Sequence, residues 1–150
     1  MGFLDDLSEG PVAADTVTFI YLIEENPRFL PLVKPLFEEA ARGARQIVTS
    51  ALTLLEVLVV PYRYRNSVLA ERYEAILARS RGIDLVDITR NQLRAAAQIR
   101  ASCGIRTPDA LQLAAAVTSG CKAFITNDRE LPQIGTTRVL QLDTYVKKDR

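Results

Sequence analysis

The sequence predicts one α/β domain with three layers, in which helices cover both faces of a mostly parallel sheet of about five strands. Two observations lead to this fold class. Short apolar runs alternate with longer segments of helical periodicity along the chain, and 150 residues is the size of a single folding unit. Consecutive parallel strands need crossover helices between them, so this alternation favours a sheet that is covered on both faces.

The predicted strands are short apolar segments bounded by turn-forming residues. They cover residues 12–15, 46–49, 83–88, 122–126 and 138–142. Residues 1–11 precede the first strand, and we expect them to form an N-terminal leader. Residues 144–150 are expected to form a C-terminal tail, so the domain itself is predicted to span residues 12–143.

The predicted helices lie between these strands and carry start and stop signals. They cover residues 16–25, 31–42, 50–61, 66–80, 89–104 and 107–118. Gly43 is expected to end the second helix in a left-handed conformation. Thr89 and Gln92 form a candidate capping box. Thr107 and Pro108 are expected to supply the N-cap and the first residue of the last helix.

The composition excludes several kinds of chemistry. The chain has no His, which removes Ser-His-Asp and Cys-His nucleophile systems and every metal site that needs imidazole. Cys103 and Cys121 are far apart in the sequence, so we expect reduced core thiols rather than a disulfide. Acidic residues at the start do not fit a signal peptide, and no apolar run is long enough to cross a bilayer. We therefore expect a cytoplasmic protein without membrane association.

The charge is nearly balanced overall but uneven along the chain. The net charge is +1, yet residues 61–106 contain nine Arg and four acidic residues, a local charge of +5. Such a segment could contact the phosphates of a nucleic acid. It could equally be an ordinary solvated helix face.

Four carboxylates are candidates for a functional site. In parallel sheets, ligands bind beyond the carboxyl ends of the strands; Asp15 ends the first predicted strand and Asp128 follows the fourth. Glu56 lies in an apolar helical segment that we expect to be largely buried, and Asp109 lies in the first turn of the last helix. Each also has an ordinary interpretation: a turn or cap for the two strand-end acids, a rim position for Glu56, and the helix dipole for Asp109.

A cluster of carboxylates would need a cation, because like charges repel one another. Hard divalent ions prefer oxygen ligands, and Mg²⁺ is usually held by one or two carboxylates together with water and substrate phosphate. A site built from acids without His therefore favours Mg²⁺ or Mn²⁺.

The motifs that carry these acids resemble those of the PIN-domain ribonucleases, and in particular the short toxins of VapBC toxin–antitoxin pairs. The resemblance lies in Ala14, Asp15 and Thr16, in residues 50–56, in residues 107–116 and in residues 124–131. These segments follow one another in the family's order and with its spacing.

This resemblance implies a PIN-like fold and a metal-dependent endoribonuclease. It implies that Mg²⁺ or Mn²⁺ is bound by the four acids, which would also be the catalytic residues: Asp15, Glu56, Asp109 and Asp128. It further implies that Thr126 or Asn127 orients the site and its substrate, that the protein forms a homodimer, and that a small antitoxin neutralises it.

Two further expectations concern surfaces. Arg63 and Arg65 follow the Glu56 helix and Arg106 precedes Asp109, so we expect these three residues to bind RNA phosphates. Residues 29–37 are rich in large apolar side chains, which are either a partner surface or core: Phe29, Leu30, Leu32, Val33 and Phe37.

Two alternatives remain for the function. The first is a catalytically inactive PIN-like module that binds RNA or acts as a scaffold. The second is an α/β phosphatase with Asp15 as nucleophile, although that pattern needs a second acid two residues later, where the chain has Val17.

Overall fold

The five short apolar segments form one parallel sheet. In the computed structural model, which describes residues 2–146, the sheet has the order β3-β2-β1-β4-β5 and every neighbouring pair is parallel. The strands are β1 (Val12–Ala14), β2 (Ile47–Ser50), β3 (Ile83–Val86), β4 (Ala123–Thr126) and β5 (Arg138–Gln141). The predicted fold class and all five strands are confirmed, while residues 147–150 of the predicted tail lie outside the described residues.

Seven α-helices and a 3₁₀ helix are formed within residues 2–146. The α-helices are α1 (Phe3–Asp6), α2 (Thr16–Ile23), α3 (Leu30–Ala41), α4 (Leu52–Arg63), α5 (Ser67–Arg79), α6 (Arg90–Cys103) and α7 (Thr107–Thr118). The 3₁₀ helix is Leu142–Tyr145. No helix among these residues is long and apolar enough to cross a membrane.

The alternation of side chains along the strands creates the three layers. Val12 and Ala14 of β1 belong to a core cluster shared with α2, α3 and α5, whereas Ala13 points to a second cluster that is shared with α7. Helix α6 packs outside α7, where Ala96 joins a small third cluster. The sheet is thus covered on both faces, and β1, β2 and β4 are buried along their whole length.

Several local details differ from the predictions. Arg106, not Thr107, is the N-cap of α7. Thr89 caps α6 by accepting a hydrogen bond from the backbone N–H of Gln92 at 3.2 Å, but the Gln92 side chain donates to Thr118 rather than completing a capping box. Cys103 is exposed at the end of α6, so the expectation of two core thiols holds for Cys121 alone.

The apolar residues of α3 are core rather than a partner surface. Phe29, Val33 and Phe37 are buried, and Leu30 and Leu32 pack against the same cluster. They fill the space beside α2, where the rings of Phe19 and Phe37 meet edge to face with centroids 5.3 Å apart. The interpretation of this segment as a partner surface is therefore wrong.

The two ends of the described chain pack against each other. Phe3 and Leu7, from the predicted leader, are buried in the main core cluster. The Phe3 ring packs edge to face against Tyr145, whose hydroxyl donates a 2.5 Å hydrogen bond to Asp6. Residues on both sides of the predicted domain limits thus contribute to the packing.

Candidate acidic site

The carboxyl ends of β1 and β4 meet at the point where the strand order reverses. From β1 the chain passes to β2 and β3 on one side, and it then returns to β4 on the other side. Such a switch point opens a crevice beyond the strand ends, which is where ligands bind in parallel sheets. Asp15 directly follows β1 and Asp128 follows β4, so two of the four predicted acids border this crevice.

Asp15 is the most perturbed carboxyl group at this edge. Its Oδ2 accepts a 2.5 Å hydrogen bond from Thr126 Oγ1, and its Oδ1 is shielded from solvent and has no hydrogen-bond partner among the described residues. Burial, and to a smaller extent the charge of Glu56, raise the pKa of Asp15 from 3.8 to about 7, although hydrogen bonds from the Thr126 hydroxyl and from the backbone of Thr18 and Val17 act in the opposite direction. The hydrogen bonds around this carboxyl group therefore offset only part of the cost of burying it.

Glu56 lies at the rim of the site and is exposed, so the expectation that it is buried is wrong. Helix α4 buries one face, which includes Thr53 and Val57, while Leu55 on another face is 61% exposed. The Glu56 carboxylate is still held in place, because its Oε1 accepts a 2.5 Å hydrogen bond from Thr16 Oγ1. Since Thr16 is the next residue after Asp15, the two acids lie on either side of the start of α2.

Asp109 is paired with an arginine. Its side chain is 20% exposed, and its Oδ2 lies 3.3 Å from Arg106 Nε. The Arg106 side chain is 76% exposed, and an ion pair with so much solvent around it is weak. Both partners are therefore free to exchange this contact for a stronger one.

Asp128 forms the turn that its ordinary interpretation predicts. Its Oδ1 accepts a 3.0 Å hydrogen bond from the backbone N–H of Glu130, as in an Asx turn. Its own N–H donates to Thr126 Oγ1 at 3.0 Å. Thr126 is fully buried, so its hydroxyl connects the turn at Asp128 to the carboxylate of Asp15 rather than facing the solvent.

Asn127 links the loop after β4 to α2 and to the 3₁₀ helix. Its Nδ2 donates a 2.9 Å hydrogen bond to the Tyr21 hydroxyl of α2. Its Oδ1 accepts a 2.8 Å hydrogen bond from the backbone N–H of Asp143 in the 3₁₀ helix. Both ends of the amide thus hold the loop after β4 in place.

A buried polar network that sequence analysis missed joins the helices around the crevice. Thr53 Oγ1 of α4 lies 2.7 Å from Thr49 Oγ1 of β2 and accepts a 2.8 Å hydrogen bond from Gln112 Nε2 of α7. Thr16 Oγ1 approaches the same Thr53 oxygen at 3.4 Å. Gln112 is three residues after Asp109, so the network fixes α7, α4 and α2 relative to one another. Thr53 and Gln112 both interrupt apolar helical segments, and this signal could have identified them.

The predicted arginines lie at the end of α4. Arg63 is seven residues after Glu56, which corresponds to about 10 Å along the same helix face. Arg65 follows the helix in a left-handed conformation, with φ of 54°. Arg63 and Arg65 are both exposed, and neither forms an ion pair within residues 2–146.

The donor set fits a hard divalent cation only in part. Among residues 2–146, no three Asp, Glu or Cys side chains are grouped so that they could hold a metal ion. The shielded Oδ1 of Asp15 is nevertheless the type of ligand that Mg²⁺ prefers, and Mg²⁺ needs only one or two carboxylates beside its waters. The chemistry of the pair Asp15 and Glu56 therefore fits such an ion, whereas Asp109 is paired with Arg106 and Asp128 accepts a turn hydrogen bond.

Comparison with known proteins gives one family and a shared fold. A family model described as PIN domain matches residues 12–136. A chain of a toxin–antitoxin complex from Klebsiella pneumoniae has a TM-score of 0.65 and 20% identity, with 87% of this chain and 97% of that chain covered. A chain of DNA-bound VapBC from Salmonella typhimurium has a TM-score of 0.61 and 21% identity, with 89% of this chain and 98% of that chain covered.

A third similar structure is VapC20 from Mycobacterium tuberculosis, described as a sarcin–ricin loop cleaving toxin. Its TM-score is 0.60 at 17% identity, and the alignment covers 75% of this chain and 86% of that chain. The chain has no significant match among curated protein sequences.

Proposed function

This chain belongs to the PIN domain family, and on that premise we propose that it is a metal-dependent endoribonuclease that acts as the toxin of a toxin–antitoxin pair. The observation that carries the proposal is Asp15 at the switch point of the sheet, with one carboxyl oxygen buried and unpartnered beside Glu56. A buried carboxylate oxygen without a hydrogen-bond partner is costly, and a divalent cation beside it would offset that cost.

We propose that Asp15 and Glu56 are the principal ligands of Mg²⁺ or Mn²⁺ and that Asp109 and Asp128 complete the site. When bound, such an ion lowers the pKa of a coordinated water and neutralises charge on the phosphate. The chain itself holds the ligands in place: Thr126 fixes Asp15, and Thr16 fixes Glu56.

The backbone around the site is suited to a phosphate group. Asp15 is the N-cap of α2 and Arg106 is the N-cap of α7, so the positive ends of both helix dipoles lie beside the acids. These N-termini would orient the scissile phosphate. No step of this proposal needs a His, which the chain lacks.

We further propose that three arginines hold the RNA strand outside the acids. Arg63 and Arg65 are exposed and form no ion pair within residues 2–146, so their guanidinium groups are available to phosphate oxygens. Arg106 would exchange its weak contact with Asp109 for a phosphate once a cation neutralises that carboxylate.

Cleavage of RNA in the presence of Mg²⁺ or Mn²⁺, compared with EDTA, tests the activity. Glu56→Gln should lose activity, whereas the matched variant Glu38→Gln, which changes an exposed Glu on α3, should keep it. Equal cleavage in EDTA, or equal activity of the two variants, would contradict the proposal.

The second candidate function is a catalytically inactive PIN-like module that binds RNA. The absence of a preformed group of three acids within residues 2–146 favours it. This module would bind RNA without cleaving it in Mg²⁺ or Mn²⁺, so binding and cleavage measured on the same RNA separate the two functions.

For partners, we propose a homodimer in the cytoplasm that a small antitoxin neutralises. The support is that structures similar in fold were determined as a toxin–antitoxin complex and as VapBC bound to DNA. Light scattering at high protein concentration should give the mass of a dimer. A monomer under those conditions would contradict this part of the proposal.

A further inference from the structure

An open cavity of about 660 Å³ lies where α4 ends and α5 begins, outside the acidic site. An aromatic ring, Tyr62, forms one wall, and Pro61 and Ala70 provide apolar surface. Tyr62 is 62% exposed, so much of its surface is not covered by the rest of the chain. The cavity therefore has apolar surface in its lining and is open to solvent.

The cavity lining also includes polar and charged residues, one of which is an arginine in an unusual conformation. Arg65 lines the cavity, and it ends α4 in a left-handed conformation with φ of 54°. Its N–H donates to Tyr62 O at 3.1 Å, and the N–H of Asn66 donates to Pro61 O at 2.8 Å. These are the hydrogen bonds of a Schellman motif, in which the left-handed position usually has Gly. This strained turn thus brings Arg65 into the lining of the same cavity as Tyr62.

Proteins bind single-stranded nucleic acid with exposed aromatic rings and nearby cations; this cavity is lined by the exposed Tyr62 and by Arg65, which forms no ion pair within residues 2–146. Bases stack on the ring, and the cation contacts the backbone phosphate. Asn66 and Glu74 also line the cavity, and amide and carboxylate groups can bond to the edge of an unpaired base.

The cavity is close enough to the acidic site for one RNA strand to reach both. Tyr62 is six residues after Glu56 on α4, which corresponds to about 9 Å along the helix axis. We propose that this cavity binds one unpaired nucleobase of the RNA substrate, stacked on Tyr62, with the neighbouring phosphate on Arg65. This inference rests on the proposed function and defines its substrate as a single-stranded segment.

Binding of a labelled single-stranded oligoribonucleotide in EDTA, measured by fluorescence anisotropy, tests the inference without cleavage. Tyr62→Ala should weaken binding by on the order of fivefold to 100-fold, the range that loss of one base stack gives. Tyr62→Phe should bind as the parent does, because the ring is retained. Tyr64→Ala is the matched control, since Tyr64 is 75% exposed but does not line the cavity, and it should also bind as the parent does.

Two outcomes would overturn the inference. The parent protein could fail to bind the single strand, or Tyr62→Ala could bind it as tightly as the parent. If in the second case Tyr62→Ala also alters the mass in light scattering, the face is a protein interface.

The inference and the proposed function fail in different experiments. If the protein cleaves RNA with metal and Tyr62→Ala changes neither kcat nor KM, the nucleobase site is refuted and the proposed nuclease activity stands. If RNA binding depends on Tyr62 but the RNA is not cleaved in Mg²⁺ or Mn²⁺, the nucleobase site stands and the proposed nuclease activity is refuted.

Discussion

Asp15→Asn is expected to remove a pH-dependent loss of stability from the metal-free protein. Burial raises the pKa of Asp15 from 3.8 to about 7, so between these values the folded protein holds a proton that the unfolded chain releases. Stability therefore falls as the pH rises through this window, and it stays lower above it. At about 1.4 kcal/mol per pKa unit the shift is worth roughly 4 kcal/mol, and the partial exposure of the residue reduces this to about 2–4 kcal/mol.

The assay is chemical denaturation of the parent and the variant in EDTA at about pH 4 and about pH 8. The Asn side chain can still accept the hydrogen bond from Thr126, but its NH₂ group replaces the unpartnered Oδ1. That replacement changes the free energy of unfolding by the same amount at both pH values, so its contribution cancels when the variant-minus-parent difference at the higher pH is compared with the one at the lower pH. The variant-minus-parent difference in the free energy of unfolding should rise by about 2–4 kcal/mol from the lower to the higher pH.

A difference that is equal at both pH values would refute the reasoning, because Asp15 would then titrate as a solvated carboxylate. Asp87→Asn serves as the control, since Asp87 is exposed and should give no such change. Added Mg²⁺ at about pH 8 should stabilise the parent and not Asp15→Asn, because a ligand that binds the folded state alone raises its stability.

Three further predictions concern the remaining groups around the site. Replacing Arg63, Arg65 and Arg106 together by Gln should weaken RNA binding and flatten its dependence on salt, measured by titration at several salt concentrations, without loss of metal binding. Gln112→Leu should lower the free energy of unfolding by about 1–3 kcal/mol in denaturant titration, because the buried N–H of Ser50 loses its hydrogen bond to Gln112 and Thr53 keeps only its contacts with neighbouring threonines. Asp128→Asn should retain more cleavage activity than Asp15→Asn in a rate assay, because the Asn oxygen can still accept the hydrogen bond from Glu130 that forms the turn.

The sequence was sufficient to predict the sheet and the place of its acids. Strands such as 122–126 are short apolar runs whose formation depends on local pattern, and the connections between them constrain the sheet to be parallel. The position of Asp15 follows from that topology, because a residue that ends a central strand must lie at the carboxyl edge. These features depend on the chain direction and not on side-chain packing.

The sequence was not sufficient where the outcome depends on which helix face is covered. An apolar helix such as α4 looks buried in sequence, yet Leu55 and Val60 are exposed because no described element packs against that side. The apolar residues of α3 have a similar composition and are core. The pairing of Thr53 with Gln112 and the cavity beside Tyr62 likewise arise from the register between helices, which a single sequence does not determine.

The acidic side chains of the site differ in how firmly their neighbours hold them. Asp15 is fixed by Thr126 at the end of a central strand, and that threonine is fully buried. Glu56 and Asp109 lie on helices that border solvent, and each has a contact it can exchange: Thr16 for the first and Arg106 for the second. A cation that binds Asp15 would therefore have one rigidly held ligand, and it would attract the carboxylates of Glu56 and Asp109 towards it. Because the same movement releases Arg106 from Asp109, cation binding and capture of the RNA phosphate are expected to support each other.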